Sequence, residues 1–221
     1  MSSLTNPGSH AMQTIDWYFD FISPFAYLQW QAVRDWQRPV RYRPLLFAGL
    51  LDQMQHKGPA EIPQKRLFTY RHVAWRAARA GIPLVFPPAH PFNPLAALRL
   101  CVAAGATREA VDALFNHFWR EGLAGDTWEQ LAPVARRLGL EGPPESLVTP
   151  EVKATLRANF DDAAAAGLFG VPSLVINGQV FWGDDATGLA EAYLDDPTLF
   201  DSPEMRRLAE LPVGAARTGT K

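Results

Sequence analysis

Two apolar runs near the C-terminal end, Ser173-Leu174-Val175-Ile176 and Gln179-Val180-Phe181-Trp182, flank Asn177-Gly178. An Asn-Gly pair between such runs is the strongest short signal for a β-hairpin, because both turn positions need a positive φ. This pins two adjacent antiparallel strands late in the chain. The N-terminal end shows its own strand signal, since Ile15, Trp17, Phe19 and Phe21 alternate with their neighbours at period two. The pattern turns helical after Ser23-Pro24, where proline suits a first helical position. Val40 to Leu46 reads as another strand, so the chain opens β-α-β.

Everything between these ends reads as helix. Leu67, Tyr70, Ala74 and Ala77 mark one helix ending at Gly81, and Asn93-Pro94 opens another that runs to Gly105. Val111, Leu114, Phe115, Phe118 and Trp119 form an i, i+3, i+4, i+7, i+8 stripe. Asp126 with Glu129 predicts a capping box for a helix ending at Gly139, and Thr149-Pro150 opens one that reaches Gly167. A last helix is expected from about Asp185 to Leu194, with an irregular tail from Leu211. The order β-α-β, helices, β-β-α predicts an α/β thioredoxin-like fold with a large all-helical insertion. The expected organisation is a leader over residues 1–12, a thioredoxin-like domain from 13–50 and 167–196, an insertion over 51–166 and an extension over 197–221. Gly8-Ser9-His10-Ala11-Met12 resembles a cloning scar.

Among 221 residues with a net charge of −2, no basic excess favours nucleic acid or anionic membrane. No apolar run approaches the ~20 residues that span a bilayer. Residues 1–12 lack the apolar core of a signal peptide, so a cytoplasmic location is expected. Cys101 is the one cysteine, which rules out an internal disulfide or a redox pair, and its apolar run Leu98–Val102 predicts a buried thiol. His10, His56, His72, His90 and His117 pair at no metal-ligand spacing, and no metal site is expected.

Gly170-Val171-Pro172-Ser173 precedes the hairpin where thioredoxin-like folds carry a cis-proline, a state found in only ~5–6% of folded X-Pro bonds. Such a bond would turn the Val171 backbone outward, able to pair with an extended ligand as a strand edge does. The topology sets this loop beside Ser23, which locally reads as a helix cap or as a site residue.

The stretches FDFISPFAY (19–27), RPLLFAGLL (43–51), PQKRLF (63–68), FPPAHPFNPLAALR (86–99) and GLFGVPSLVINGQVFWGDD (167–185) together resemble the 2-hydroxychromene-2-carboxylate isomerases and the related kappa-class glutathione transferases. Both lie in the DsbA-like branch of the thioredoxin superfamily. The disulfide oxidoreductases of that branch start their first helix with Cys-x-x-Cys. Here Ser23-Pro24-Phe25-Ala26 stands there, so dithiol exchange is excluded.

The resemblance implies glutathione as cofactor, its thiolate hydrogen-bonded by Ser23 and its backbone held at Val171-Pro172. It implies that the turn Trp182-Gly183-Asp184-Asp185 holds the γ-glutamyl ammonium, and that Lys65 and His56 meet a carboxylate or ketone. The bare residues read equally as helix caps and surface charges. Two positions depart from the family pattern, Ala186 for arginine and His56 for asparagine. The implied activity interconverts 2-hydroxychromene-2-carboxylate and trans-o-hydroxybenzylidenepyruvate in aromatic hydrocarbon catabolism. The implied partners are a small aromatic carboxylate and a second copy in a homodimer. Kappa-type conjugation or peroxide reduction, and a non-catalytic peptide-binding module, are the alternatives.

Overall fold

The computed structural model describes residues 14–142 and 144–215. The expected leader over 1–12 and the end of the tail lie outside the described residues.

The chain runs β1 (Ile15–Phe19), α1 (Pro24–Val33), β2 (Val40–Pro44), α2 (Phe47–Gln53), α3 (Pro63–Ala80), α4 (Leu95–Ala103), α5 (Arg108–Phe115), α6 (Trp128–Arg137), α7 (Pro144–Leu147), α8 (Pro150–Ala165), β3 (Ser173–Ile176), β4 (Gln179–Trp182), α9 (Thr187–Asp195) and α10 (Pro203–Ala209). Short 3-10 turns lie at Pro59–Glu61 and Asp184–Ala186, and a π-helical turn at Asn116–Arg120 extends α5. The sheet order is β2-β1-β3-β4. β1 pairs parallel with β2 and antiparallel with β3, and β3 pairs antiparallel with β4 through the Asn177-Gly178 turn. Both turn residues hold positive φ, 50° and 80°. This is the thioredoxin-like arrangement, with α2 to α8 strung between β2 and β3.

β1 is central, and all five of its residues are buried. On one face Trp17 stacks on Trp30 of α1 with centroids 5.4 Å apart, and Phe115 of α5 lies 6.0 Å from Trp17. One continuous core therefore joins the sheet to the helices between β2 and β3. On the other face Tyr18, Leu45, Leu50, Ala163, Leu168 and Val171 form a second cluster. Cys101 is fully buried in α4, and burial pushes its thiol far above the usual range.

Local details differ from the sequence expectations. β1 ends at Phe19 rather than Phe21, because the chain turns there and Ser23 N–H donates to the Asp20 carbonyl at 3.1 Å. The capping box of α6 is Thr127 with Gln130, not Asp126 with Glu129. Asp126 is engaged elsewhere, accepting from Asn93 N–H at 3.0 Å. The last expected helix begins with the 3-10 turn at Asp184 and becomes α-helical only at Thr187. α10 was not expected, although Ser202-Pro203 carries the cap-and-proline signal and Ser202 Oγ accepts from Met205 N–H.

Candidate active site

Four strand ends converge at one end of the sheet. Phe19 pairs with Pro44, Tyr18 with Ser173, and Ser173 with Trp182. The segments leaving β1 (Asp20–Ser23), entering α2 (Leu45–Phe47), entering β3 (Gly170–Pro172) and leaving β4 (Gly183–Asp185) therefore gather there.

Ser23 caps α1. Its Oγ accepts from Ala26 N–H at 3.2 Å, and its carbonyl accepts from Tyr27 N–H. The hydroxyl proton is donated to no group among the described residues, and Ser23 is 8% exposed. A hydroxyl has one donor and two acceptor sites, so what Ser23 has left to offer is a donated hydrogen bond at the positive end of a ten-residue helix.

The turn carrying Ser23 is gripped at each peptide group. Trp119 Nε1–H donates to the Phe21 carbonyl at 2.8 Å, Ile22 N–H donates to Asp20 Oδ1 at 3.2 Å, and His90 Nε2 meets the Ile22 carbonyl at 2.8 Å. The second oxygen of Asp20 accepts from Phe47 N–H at 2.8 Å, tying the start of α2 to the same turn. Asp20 is completely buried, and burial outweighs its backbone hydrogen bonds, raising its pKa to about 7. His90 also contacts Tyr70 Oη through Nδ1 at 2.7 Å, and burial lowers its pKa. The sequence reading gives Asp20, Tyr70, His90 and Trp119 no place in the site. The run Ala89-His90-Pro91-Phe92 held a visible signal, a histidine before a proline inside an aromatic cluster.

The Val171–Pro172 bond is cis, as expected. The Pro172 carbonyl accepts from Gly183 N–H at 2.9 Å. No hydrogen bond among the described residues engages the Val171 backbone. Gly170 is needed for a close approach, since a Cβ there would fall 2.3 Å from Trp182 Nε1. Trp182 packs edge-on against Phe169 at 5.0 Å, and the two are 53% and 46% exposed. They form an apolar rim. Phe25 and Phe47 are half-buried near the turn, whereas Phe92 belongs to the core.

The turn after β4 holds Gly183 at φ 93°, with Asp185 folded back over it. The Asp184 side chain is buried and paired with Arg76 of α3, whose Nη1 donates at 2.9 Å. Of the two carboxylates, Asp185 is the exposed one, and no ion pair engages it among the described residues. Gln29 supports the turn, donating from Nε2 to the Gly183 carbonyl at 3.0 Å while its Oε1 accepts from Trp17 Nε1–H. A shallow cleft of about 400 Å³ lies between α1, α3 and this turn.

The side chains of His56, after α2, and Lys65, in the first turn of α3, are exposed and have no partner among the described residues. α3 reaches the Ser23 turn further along, where His72 meets Phe25 at 6.3 Å.

A family model described as DSBA-like thioredoxin domain matches residues 14–195. A "2-hydroxychromene-2-carboxylate isomerase" of Pseudomonas putida is 30% identical over 195 residues, covering 80% of this chain and 92% of that protein. "Glutathione s-transferase kappa 2" of Caenorhabditis elegans is 25% identical over 209 residues, covering 84% and 93%. A solved structure of a 2-hydroxychromene-2-carboxylate isomerase superposes with a TM-score of 0.72 at 23% identity, covering 90% of this chain and all of that one.

Proposed function

Because the chain belongs to the DSBA-like thioredoxin family and to its 2-hydroxychromene-2-carboxylate isomerase group, we propose that it is a glutathione-dependent isomerase. Its reaction interconverts 2-hydroxychromene-2-carboxylate, or a close aromatic analogue, with the ring-opened trans-o-hydroxybenzylidenepyruvate. The observation that carries this is the hydroxyl proton of Ser23 at the N-terminus of α1, donated to no group among the described residues, in a chain whose sole thiol is buried in α4. The chain offers a place for a sulfur anion, and its one thiol is buried away from that place.

Glutathione fits the groups present. Ser23 Oγ–H would face its sulfur, the open Val171 backbone its cysteinyl peptide, and the exposed Asp185 carboxylate its ammonium, with Trp182 and Gly183 beside it. When bound, glutathione supplies the sulfur nucleophile whose reversible addition to a conjugated double bond permits rotation about it. Ser23 and the helix N-terminus favour the ionised sulfur by hydrogen bonding and by the positive end of the macrodipole. Lys65 and His56 are the exposed groups suited to the substrate carboxylate. Charge developing on the substrate oxygen is steadied by such a cation. Phe169 and Trp182 present an apolar rim to a planar ring.

Conjugation of the kappa type uses the same sulfur and is the second reading, favoured by the nematode relative. Titration calorimetry with glutathione, followed by spectrophotometry of the ring-opening reaction, tests the proposal. Saturable binding with turnover supports it. Binding without turnover favours conjugation, and absence of binding overturns both.

A further inference from the structure

Three short contacts surround His90. Its Nε2 lies 2.8 Å from the Ile22 carbonyl, its Nδ1 lies 2.7 Å from Tyr70 Oη, and Tyr70 Oη lies 2.7 Å from the His90 carbonyl. A carbonyl can only accept, so Nε2 carries a hydrogen. The hydroxyl of Tyr70 has one proton for two neighbours. If His90 is neutral, that proton serves either Nδ1 or the His90 carbonyl, and the other contact sets two lone pairs face to face. If His90 is an imidazolium, Nδ1–H donates to Tyr70 Oη, Tyr70 donates to the carbonyl, and Nε2–H donates to Ile22. Every short contact then has its own hydrogen.

Opposing this are the surroundings. Phe86, Phe92 and Trp119 pack around the imidazole ring. Burial lowers the pKa of His90, and the charge of Arg66 on α3 adds to that, against the raising effect of the Ile22 hydrogen bond. The other titratable groups among its contacts and on the same turn are Tyr70, whose pKa burial raises, and Asp20, which accepts from the Ile22 N–H. Geometry favours the cation and environment the neutral ring, so a nearby charge decides. The Ile22 carbonyl that His90 grips belongs to the peptide whose N–H is that of Ser23.

We propose that His90 and Tyr70 are a positioning pair for the Ser23 turn, in which His90 takes up a proton when an anion occupies the N-terminus of α1. The proton comes from solvent and matches the one a bound thiol releases there, so anion and imidazolium form together with no net change in charge. His90 does not touch the sulfur. It acts through the Ile22 carbonyl, holding the cap in place and adding positive potential one peptide away. The second half of this proposal rests on glutathione being the cofactor.

The test uses the full chain with nitrogen-labelled histidine, His90 being assigned from His90→Gln. In the free protein, Tyr70→Phe should move the His90 titration to lower pH, because a hydrogen bond to the cation is lost and bonds to charged groups are the stronger ones. An unmoved or raised His90 titration in Tyr70→Phe overturns the pair, whatever the cofactor. Glutathione should raise the His90 titration, whereas S-methylglutathione, with no ionisable sulfur, should leave it in place. An equal response to both overturns the coupling. His90→Gln keeps a neutral donor toward Ile22, so it should fold normally yet raise the pKa of bound glutathione. If His90→Gln leaves that pKa at its wild-type value, His90 is merely structural and the proposal falls. Failure of calorimetric binding in the wild type would sink the cofactor reading alone, leaving the Tyr70→Phe titration to judge the pair.

Discussion

Arg76 on α3 donates to Asp184 Oδ1 at 2.9 Å, across 108 residues of chain. The pair ties the long third helix to the turn after β4. Asp184 is the more buried partner, and burial holds its carboxyl above the usual range even with the guanidinium beside it. Arg76→Leu should cost about 2–3 kcal/mol near neutrality, less than the ~3–5 kcal/mol of a fully buried pair because Arg76 is partly exposed. The loss should shrink in acid, where a neutral carboxyl replaces the stranded charge. Urea unfolding of both proteins near neutrality and in acid checks this, and an equal loss at both would mean that charge is not the cause.

Asp20 predicts a second pH effect. Its folded pKa of about 7 stands above the ordinary carboxylate value of 3.8. The folded state therefore keeps a proton that the unfolded chain gives up between those values, and the contribution to stability falls as pH rises through that window. The fall is on the order of 4 kcal/mol at most, at ~1.4 kcal/mol per unit. Asp20→Asn should flatten this part of the curve of unfolding free energy against pH. A wild-type protein whose stability rises from pH ~4 to ~7 without compensation in Asp20→Asn would contradict it.

Gly170→Ala would push a methyl into the Trp182 indole, 2.3 Å from Nε1. Relief requires that the exposed indole swing away from Phe169. The expected cost is about 1–3 kcal/mol of stability or less, as for overpacking, together with weaker glutathione binding by calorimetry. Gly188, whose Cβ would meet nothing within 4 Å, is the control. Unchanged binding in Gly170→Ala would remove Trp182 from the cofactor side of the site.

The parts of the fold that could be read from sequence are those with local causes. Asn177-Gly178 announced the hairpin because the turn demands two positive φ angles in sequence. Gly81, Gly139 and Gly167 marked helix ends because each sits at positive φ after a helix. The Val171-Pro172 step stood out because topology gave it a known place. What sequence left dark has distant causes. His90 meets a carbonyl 68 residues away, and Arg76 a carboxylate 108 away. No periodicity encodes such meetings. Asp20 looked like the polar half of an alternating strand, but the chain turns there and folds the carboxylate inward onto backbone donors. Asp126 looked like a cap for the same kind of reason, since its true partner, Asn93, lies in another loop.

Ser23 joins two roles that substitution can separate. As the cap of α1, its loss in Ser23→Ala should lower stability by about 1 kcal/mol. As donor to a bound thiolate, its loss should cost roughly 1.5–3 kcal/mol of anion stabilisation, or about one to two units in the thiol pKa. Ultraviolet absorbance of the thiolate, followed against pH with glutathione bound to the wild type and to Ser23→Ala, reads the second role directly. The wild type should hold the thiol pKa of bound glutathione well below that of free glutathione, and Ser23→Ala should return it most of the way. A variant that melts earlier but titrates its bound thiol like the wild type would make Ser23 a helix cap and nothing more, and would contradict the assignment of the sulfur to this site.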